Sequence, residues 1–267
     1  MTLVDTHCHL GWRSFDADRA EVVRRAIEAG VRRIVTVGVD VPTSRQAIEL
    51  AEQHDAVYAA VGLHPNDAAG FDAEALSVIR ALAGHPKVVA IGEIGLDKYW
   101  KKVEPETQAR AFQAQLELAA DIGKPVIIHN RDATEGVMTI LERHVARRSP
   151  PAPVGILHSF FDGLDVARRA FDLGFTIGLS GPVTFKNGER LRELARALPA
   201  DRFVIETDAP FLTPEPRRGS RNEPAYVRWI ADRIASERGV PVQQIAERTT
   251  ATAERVFGWV NAYGSAS

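Results

Sequence analysis

The 267-residue sequence predicts an α/β protein: a single-domain (β/α)8 TIM barrel over residues 1–267, with extra helices at the C-terminal end. Three observations favour this fold. Short β-branched runs alternate with longer amphipathic stretches along the chain. About eight runs occur, and their starts lie roughly 21–37 residues apart, close to the length of one βα unit. No change of composition and no long linker interrupts the series.

The apolar runs are predicted to be buried strands because they barely alternate with polar residues. They are Leu3–His9, Arg33–Val39, Val57–His64, Val88–Leu96, Pro125–His129, Val154–His158, Phe175–Leu179 and Phe203–Thr207. Helical patterns lie between them, among them Asp18–Ala29, Ser44–His54, Pro105–Ile122, Asp165–Leu173 and Gly188–Leu198. From Asn222 onward, two or three helical patterns without a strand are expected to pack on the outside. A doubly wound open sheet is the alternative, but no glycine-rich phosphate loop follows the first run.

Composition excludes several classes of protein. Lys and Arg number 33 against 35 Asp and Glu, a formal net charge of -2, which argues against binding nucleic acid through the general surface. The single cysteine, Cys8, excludes a disulfide scaffold and a cysteine-based zinc site. No signal peptide and no run long enough for a membrane span is apparent, so a cytoplasmic protein without membrane contact is expected. No obligate protein partner is evident.

Polar side chains gather where the predicted strands end, which is where a barrel of this kind carries its functional groups. Five of the eight histidines and two carboxylates fall there: His7, His9, His64, His129 and His158, with Glu93 and Asp208. Side chains two apart on a strand project to the same face, so the His7 and His9 imidazoles can share one ion. Converging buried acids and imidazoles require a cation. The sequence therefore predicts a metal site.

Six of these residues are candidate metal ligands, more than one catalytic zinc ion with three protein ligands needs. Two divalent ions bridged by Glu93 would use all six, which are His7, His9, Glu93, His129, His158 and Asp208. Zn, Mg or Mn is expected; four imidazoles favour Mg less than Zn, Mn, Co or Ni, and the sequence does not fix the identity.

Eight motifs carry these residues in order along essentially the whole chain. They are Asp5–Leu10, Gly62–Pro65, Gly92–Asp97, His129–Ala133, His158–Phe160, Thr184–Lys186, Glu206–Pro210 and Arg221–Pro224. Together they resemble the TatD family of metal-dependent deoxyribonucleases, which belongs to the amidohydrolase-like metallo-hydrolases on a TIM barrel. Two positions depart from the family pattern without touching a ligand: Gly11 stands where the family often has Asp, and Ser159 where it often has Cys.

The resemblance implies a divalent-metal-dependent hydrolase of ester bonds whose substrate is DNA, namely a 3′→5′ exodeoxyribonuclease that prefers single strands. It implies that His7, His9 and Asp208 hold one ion, that His129 and His158 hold the other, and that Glu93 bridges them. His64 is placed beside the ions rather than on them.

We expect a water activated by two metal ions to attack the phosphodiester in line. Asp208 would accept the proton of that water, or would be a ligand only. His64 would orient the phosphate or protonate the leaving group, or would only support the turn before Pro65.

Basic and aromatic residues near the predicted mouth are candidate substrate contacts. Arg131, Lys186 and Arg221 are expected to bind backbone phosphates. Tyr99 and Trp100 lie among Lys98, Lys101 and Lys102, a composition that suits stacking of splayed bases or, equally, an ordinary surface loop.

Two other functions are alternatives to the nuclease. A metal-dependent ester or amide hydrolase of the same superfamily, such as a D-aminoacyl-tRNA deacylase, shares the architecture, and the fold alone does not choose between them. A non-catalytic binding protein is disfavoured because all six ligand types are intact.

Overall fold

Each buried apolar run forms one strand of a single sheet in the computed structural model, which describes residues 1–147 and 155–259. All neighbouring strands pair in parallel in the order β1 to β8. The strands are β1 Leu3–Cys8, β2 Val31–Val37, β3 Val57–Val61, β4 Val88–Asp97, β5 Val126–Arg131, β6 Ile156–Leu157, β7 Thr176–Leu179 and β8 Phe203–Ile205. The predicted (β/α)8 barrel is confirmed. Val154, which begins the sixth predicted strand, lies outside the described residues.

The barrel closes where β1 meets the chain that follows β8. Cys8 forms a parallel bridge with Ala209, and the His9 N–H donates to the Ala209 carbonyl at 2.7 Å. The Asp208 N–H donates to the His7 carbonyl at 2.9 Å. This closure places the residues after β8 directly beside the end of β1.

Helices surround the sheet on its outer face. They are α1 Arg19–Glu28, α2 Val41–Gln53, α3 Ala73–Ala83, α4 Pro105–Asp121, α5 Thr134–Ala146, α6 Leu164–Asp172, α7 Glu189–Ala197, α8 Val227–Arg238 and α9 Val242–Phe257. The second helix begins earlier than the predicted Ser44 because the Asp40 carboxylate accepts the Thr43 N–H in a capping box. Among the described helices, none is both long and apolar enough to cross a bilayer.

The interior of the barrel is filled, and its N-terminal end is covered by α9. One apolar cluster collects side chains from seven strands together with α9: Val4, Val35, Val37, Ala60, Val89, Ala90, Ile127, Ile156, Val204, Ala253 and Phe257. Hydrogen bonds tie α9 to the segments that precede two strands, because Thr250 donates to the Thr2 carbonyl and Arg255 to the Asp201 carbonyl. The last helix therefore contributes side chains to the barrel core and closes its N-terminal end. The carboxyl ends of the strands form the open mouth.

Candidate metal centre

The barrel mouth brings the six predicted ligands together. His7, Glu93 and His129 lie on β1, β4 and β5, while His9, His158 and Asp208 follow β1, β6 and β8 by a few residues. Three groups of donor atoms lie within 4.8 Å of one another: His7 with His9 and Asp208, His7 with Glu93 and His158, and His64 with Glu93 and His129. Side chains on or just after β1, β4, β5, β6 and β8 therefore meet at the centre of the mouth.

The first group of donors has the spacing of a single coordination sphere. His7 Nε2 lies 3.3 Å from His9 Nε2 and 3.4 Å from Glu93 Oε2. Asp208 Oδ1 lies 3.4 Å from His9 Nε2 and 3.6 Å from His7 Nε2. Ligand atoms 2.0–2.1 Å from a tetrahedral ion are about 3.3–3.4 Å apart. The three donors of this group, 3.3–3.6 Å apart, are close to that separation, whereas Glu93 Oε2 lies farther from His9 Nε2, at 3.8 Å.

The second group uses the other oxygen of the same glutamate. Glu93 Oε1 lies 2.7 Å from His129 Nδ1 and 2.7 Å from His158 Nε2, and the two nitrogens are 3.4 Å apart. Glu93 therefore presents Oε2 to His7 and His9, and Oε1 to His129 and His158. A carboxylate in this position can be shared between two ions.

The chemistry of the donor set fits divalent metal ions. Within the described part of the chain, Glu93 and Asp208 form ion pairs with histidines alone. Burial would raise the pKa of Glu93, but its interactions with the surrounding histidines, His158 foremost, hold it well below its ordinary value. Burial would likewise lower the pKa of His158, but the charge of Glu93 raises it well above its ordinary value. An ionised carboxylate enclosed by imidazoles is a site that attracts positive charge.

His64 lies beside these donors. Its Nε2 is 3.7 Å from Glu93 Oε1, and its ring centroid is 4.4 Å from that of His129. Its Nδ1 accepts the Asn66 N–H at 3.1 Å, so in the neutral ring the proton is on Nε2. Burial lowers the pKa of His64 to about 3. The ring is therefore a neutral donor whose N–H is directed toward the centre.

Asp97 orients His129, a role that was not predicted from the sequence. Its Oδ2 accepts His129 Nε2–H at 3.1 Å and Asn66 Nδ2–H at 2.9 Å, and its Oδ1 accepts the backbone N–H groups of Tyr99 and Trp100. Burial alone would raise the pKa of Asp97, but these hydrogen bonds outweigh it and hold the pKa below its ordinary value. The sequence did carry a signal, because Asp97 follows Glu93 by an even number of strand positions and so shares its face.

Replacing Asp97 by Asn is expected to weaken metal binding and hydrolysis about 10- to 100-fold, since a partner that orients a metal-ligating histidine contributes that much. Metal titration of the purified variant measures the first quantity, and initial rates measure the second. Asp121→Asn is the matched control, because Asp121 is exposed and paired with Arg80 on the surface. Unchanged metal affinity in the Asp97 variant would contradict the assignment.

A second buried carboxylate, Glu206, lies behind His158. Its Oε1 accepts the Ser159 N–H and is 3.6 Å from His158 Nδ1, while its Oε2 accepts from Thr6 Oγ1 at 3.3 Å. The absence of a side chain at Gly178 makes this possible, because a Cβ there would lie 2.5 Å from the Glu206 carboxylate. Glu206 therefore lies behind His158 in the barrel interior, but at 3.6 Å it does not hydrogen-bond the ring in the way that Asp97 hydrogen-bonds His129.

The loop that carries Asp208 is fixed from both sides. Asp208 has a φ of 56°, a left-handed conformation that a non-glycine residue adopts only when its surroundings hold it. Asn222 Nδ2 donates to the Thr207 and Phe211 carbonyls, on either side of Asp208. Thr207 in turn donates its N–H and Oγ1–H to Asp5, whose pKa burial raises to about 8.

The three predicted substrate-binding cations lie in different surroundings. Arg131, at the end of β5, is exposed, and its guanidinium lies 4.5 Å from the centre of the Tyr99 ring. Lys186 is exposed in the loop after β7. Arg221 lies over the Phe15 ring and forms ion pairs with Asp18 and Glu223. Contact with substrate stays a prediction for all three.

Comparison with known proteins gives a consistent result. The sequence model of the family described as TatD related DNase matches residues 4–258. YabD of Bacillus subtilis, described as an uncharacterized metal-dependent hydrolase, is 46% identical over 255 residues, which cover 96% of this chain and 98% of YabD. The 3′-5′ ssDNA/RNA exonuclease TatD of Klebsiella pneumoniae is 38% identical over 261 residues, covering 96% and 98%. The crystal structure of YjjV, a TatD homolog from Escherichia coli K12, matches with a TM-score of 0.89 at 29% identity, covering 97% and 98%.

Proposed function

This chain belongs to the TatD related DNase family of metal-dependent hydrolases, and from that premise we propose that it removes nucleotides from the 3′ end of single-stranded DNA. The observation that carries the proposal is the position of Glu93, whose two oxygens face two separate groups of donors. A shared carboxylate of this kind is suited to two ions roughly 3.5–4 Å apart. The 3′-5′ ssDNA/RNA exonuclease activity named for the Klebsiella relative supports the choice of substrate.

Two ions would be held by the predicted residues, with His7, His9 and Asp208 at one position, His129 and His158 at the other, and Glu93 between them. When bound, such ions polarise a phosphoryl oxygen and generate a nucleophile from water at neutral pH. The donor set accepts Zn or Mn readily and Mg less so, because four of its six members are imidazoles.

The protein groups at this centre have separable roles. Asp208 is ionised, because the hydrogen bond from His9 and the charge of His7 outweigh burial and lower its pKa. It lies at the mouth, and in the proposed reaction it would take a proton from the attacking water. The Nε2–H of His64 faces the centre, and in the proposed reaction it would hold a phosphate oxygen. Because the ring is neutral and donates a hydrogen bond, orientation of the phosphate is favoured over protonation of the leaving group.

The proposal is tested by incubating the purified protein with 5′-labelled single-stranded DNA, a D-aminoacyl-tRNA and a phosphotriester in parallel, with Zn, Mn or Mg. We expect a ladder of products that shortens from the 3′ end of the DNA. Labelled fragments produced only by internal cuts, without a stepwise 3′ ladder, would contradict the exonuclease assignment. If the tRNA ester is hydrolysed and the DNA is not cleaved, the choice of substrate is wrong and the protein is a metal-dependent esterase.

A further inference from the structure

Exposed aromatic rings are concentrated at the barrel mouth. In the described part of the chain, seven large apolar side chains are exposed: Met1, Trp12, Ile27, Tyr99, Trp100, Phe161 and Phe211. Five of the seven are aromatic, and all five follow strands whose ends carry predicted metal ligands. Scattered exposed apolar residues are ordinary, whereas a group of them around a polar centre marks a surface that binds something.

Two of these rings adjoin the first group of metal donors. Trp12 and Phe211 are 46% and 44% exposed, and their ring centroids lie 5.3 Å apart at an interplanar angle of 75°. The Trp12 ring lies 6.3 Å from the His9 ring, and the Phe211 ring 6.1 Å from it. A planar group that touches this aromatic pair is therefore next to His9.

The aromatic pair is held in place by Arg221 and Asn222. Arg221 donates to the Ser14 carbonyl and to Asp18, and its guanidinium lies 4.6 Å from the centre of the Phe15 ring, so that it fixes the turn that begins at Trp12. Asn222, the next residue, donates to the Phe211 carbonyl. Adjacent residues thus anchor two loops that come from opposite ends of the chain, and the pair is organised before any ligand arrives.

A second aromatic pair lies across the mouth. The Tyr99 and Trp100 rings are 5.0 Å apart and follow β4, which is separated by four strand positions from β8 in a barrel of eight. Cations accompany these rings, because Arg131 lies 4.5 Å from the Tyr99 ring and Lys102 lies 6.0 Å from the Trp100 ring. On the other side, exposed Arg13 is next to Trp12 in sequence. The metal donors therefore lie between two aromatic pairs, each with a cation nearby.

We propose that the Trp12–Phe211 pair is a stacking subsite for one unpaired nucleobase, whose neighbouring phosphate lies at the metal centre. The inference rests on the proposed function and specifies how its substrate is held. Aromatic faces accept any base because every base has a π-face, so the subsite tolerates sequence but requires a base that has left the helical stack. Nearby cations suit the phosphates of the same strand. Preference for single strands follows from this geometry.

The test uses single-stranded oligonucleotides in which one of the last three 3′ nucleotides is abasic. We expect Trp12→Ala and Phe211→Ala each to raise KM on the intact strand about 5- to 160-fold, the range for loss of one stacked base, and Trp12→Phe to retain most of the affinity. When the abasic site is at the position of the stacked base, the KM of the wild-type protein is expected to rise by a similar factor. The KM of Trp12→Ala is expected to be the same on this strand as on the intact strand. The control is Ile27→Ala, an exposed apolar residue on α1 away from the mouth, which leaves KM unchanged.

Binding without turnover gives an independent readout. With 2-aminopurine at the sensitive position, wild-type protein treated with chelator is expected to quench the fluorescence, and Trp12→Ala is expected not to. Equal losses of Trp12→Ala on intact and abasic strands, or variants that cleave like the wild type, would overturn the stacking subsite and leave the exonuclease standing. A wild-type protein that neither binds nor cleaves the strand would overturn both.

Discussion

Glu93→Gln is expected to reduce hydrolysis by well over 100-fold and to lower the number of bound metal ions per chain. Loss of a group that merely orients a ligand costs about 10- to 100-fold, and Glu93 is itself the residue that both donor groups share. The amide retains the shape of the side chain but removes the negative charge that faces His7 through Oε2 and His158 through Oε1. Initial rates together with elemental analysis of the purified variant measure both effects.

The matched control for this substitution is Glu52→Gln. Glu52 also pairs with a histidine, His85 at 3.2 Å, but this pair lies on the surface. Surface ion pairs contribute about 0–1 kcal/mol, so this variant is expected to keep the activity, metal content and stability of the wild type. A folded Glu93→Gln protein with wild-type activity would eliminate the shared-carboxylate assignment.

Removal of divalent ions by a chelator is expected to bring hydrolysis to the background rate and to lower the melting temperature. The six ligands converge from five segments of the barrel, so an ion binds them in the folded state only. At a concentration 1,000 times its Kd, one such ion stabilises the fold by about 4 kcal/mol. Activity assays and thermal melts, before and after chelation, measure the two effects.

Adding ions back distinguishes loss of metal from damage to the protein. Zn, Mn and Mg are titrated separately into the chelated protein, and recovery is expected to require about two ions per chain. A protein carried through the same dialysis without chelator is the control. Cleavage that persists at the original rate in metal-free protein would exclude a role for metal in the reaction.

The strands and the six candidate ligands were predictable because their signals are local. Runs such as Val88–Leu96 are apolar on both faces, which indicates a strand covered on both sides, and the structure places β4 at Val88–Asp97. Once a barrel is predicted, candidate functional residues can be found at the carboxyl end of each strand, without knowing which other residues they contact. His7, Glu93 and His129 were found in this way, and their distances in the structure fit a metal centre.

The features that the sequence did not reveal depend on contacts between distant segments. Phe257 lies in the last helix, yet it packs with Val4 and Val35 at the base of the barrel. Arg221 was predicted to meet a phosphate because it is basic and near the mouth; its partner Asp18 is 203 residues away in sequence. The helices at Ala73–Ala83 and Thr134–Ala146 were not among the patterns named, and their positions are clear only once the strands on either side are fixed.

The backbone bridge between Cys8 and Ala209 joins the first strand to the segment that follows the last one. In the first donor group, His7 lies in β1 and His9 directly follows it, whereas Asp208 comes from the segment after β8. An ion bound by these three residues would therefore link the two segments. Asp5 and Thr207, which meet beneath it, are 202 residues apart, and most of the chain must be synthesised and folded before they pair. An incomplete or partly opened chain has no such position. A chain that lacks the segment after β8 lacks Asp208, and it is therefore expected to lack the first donor group.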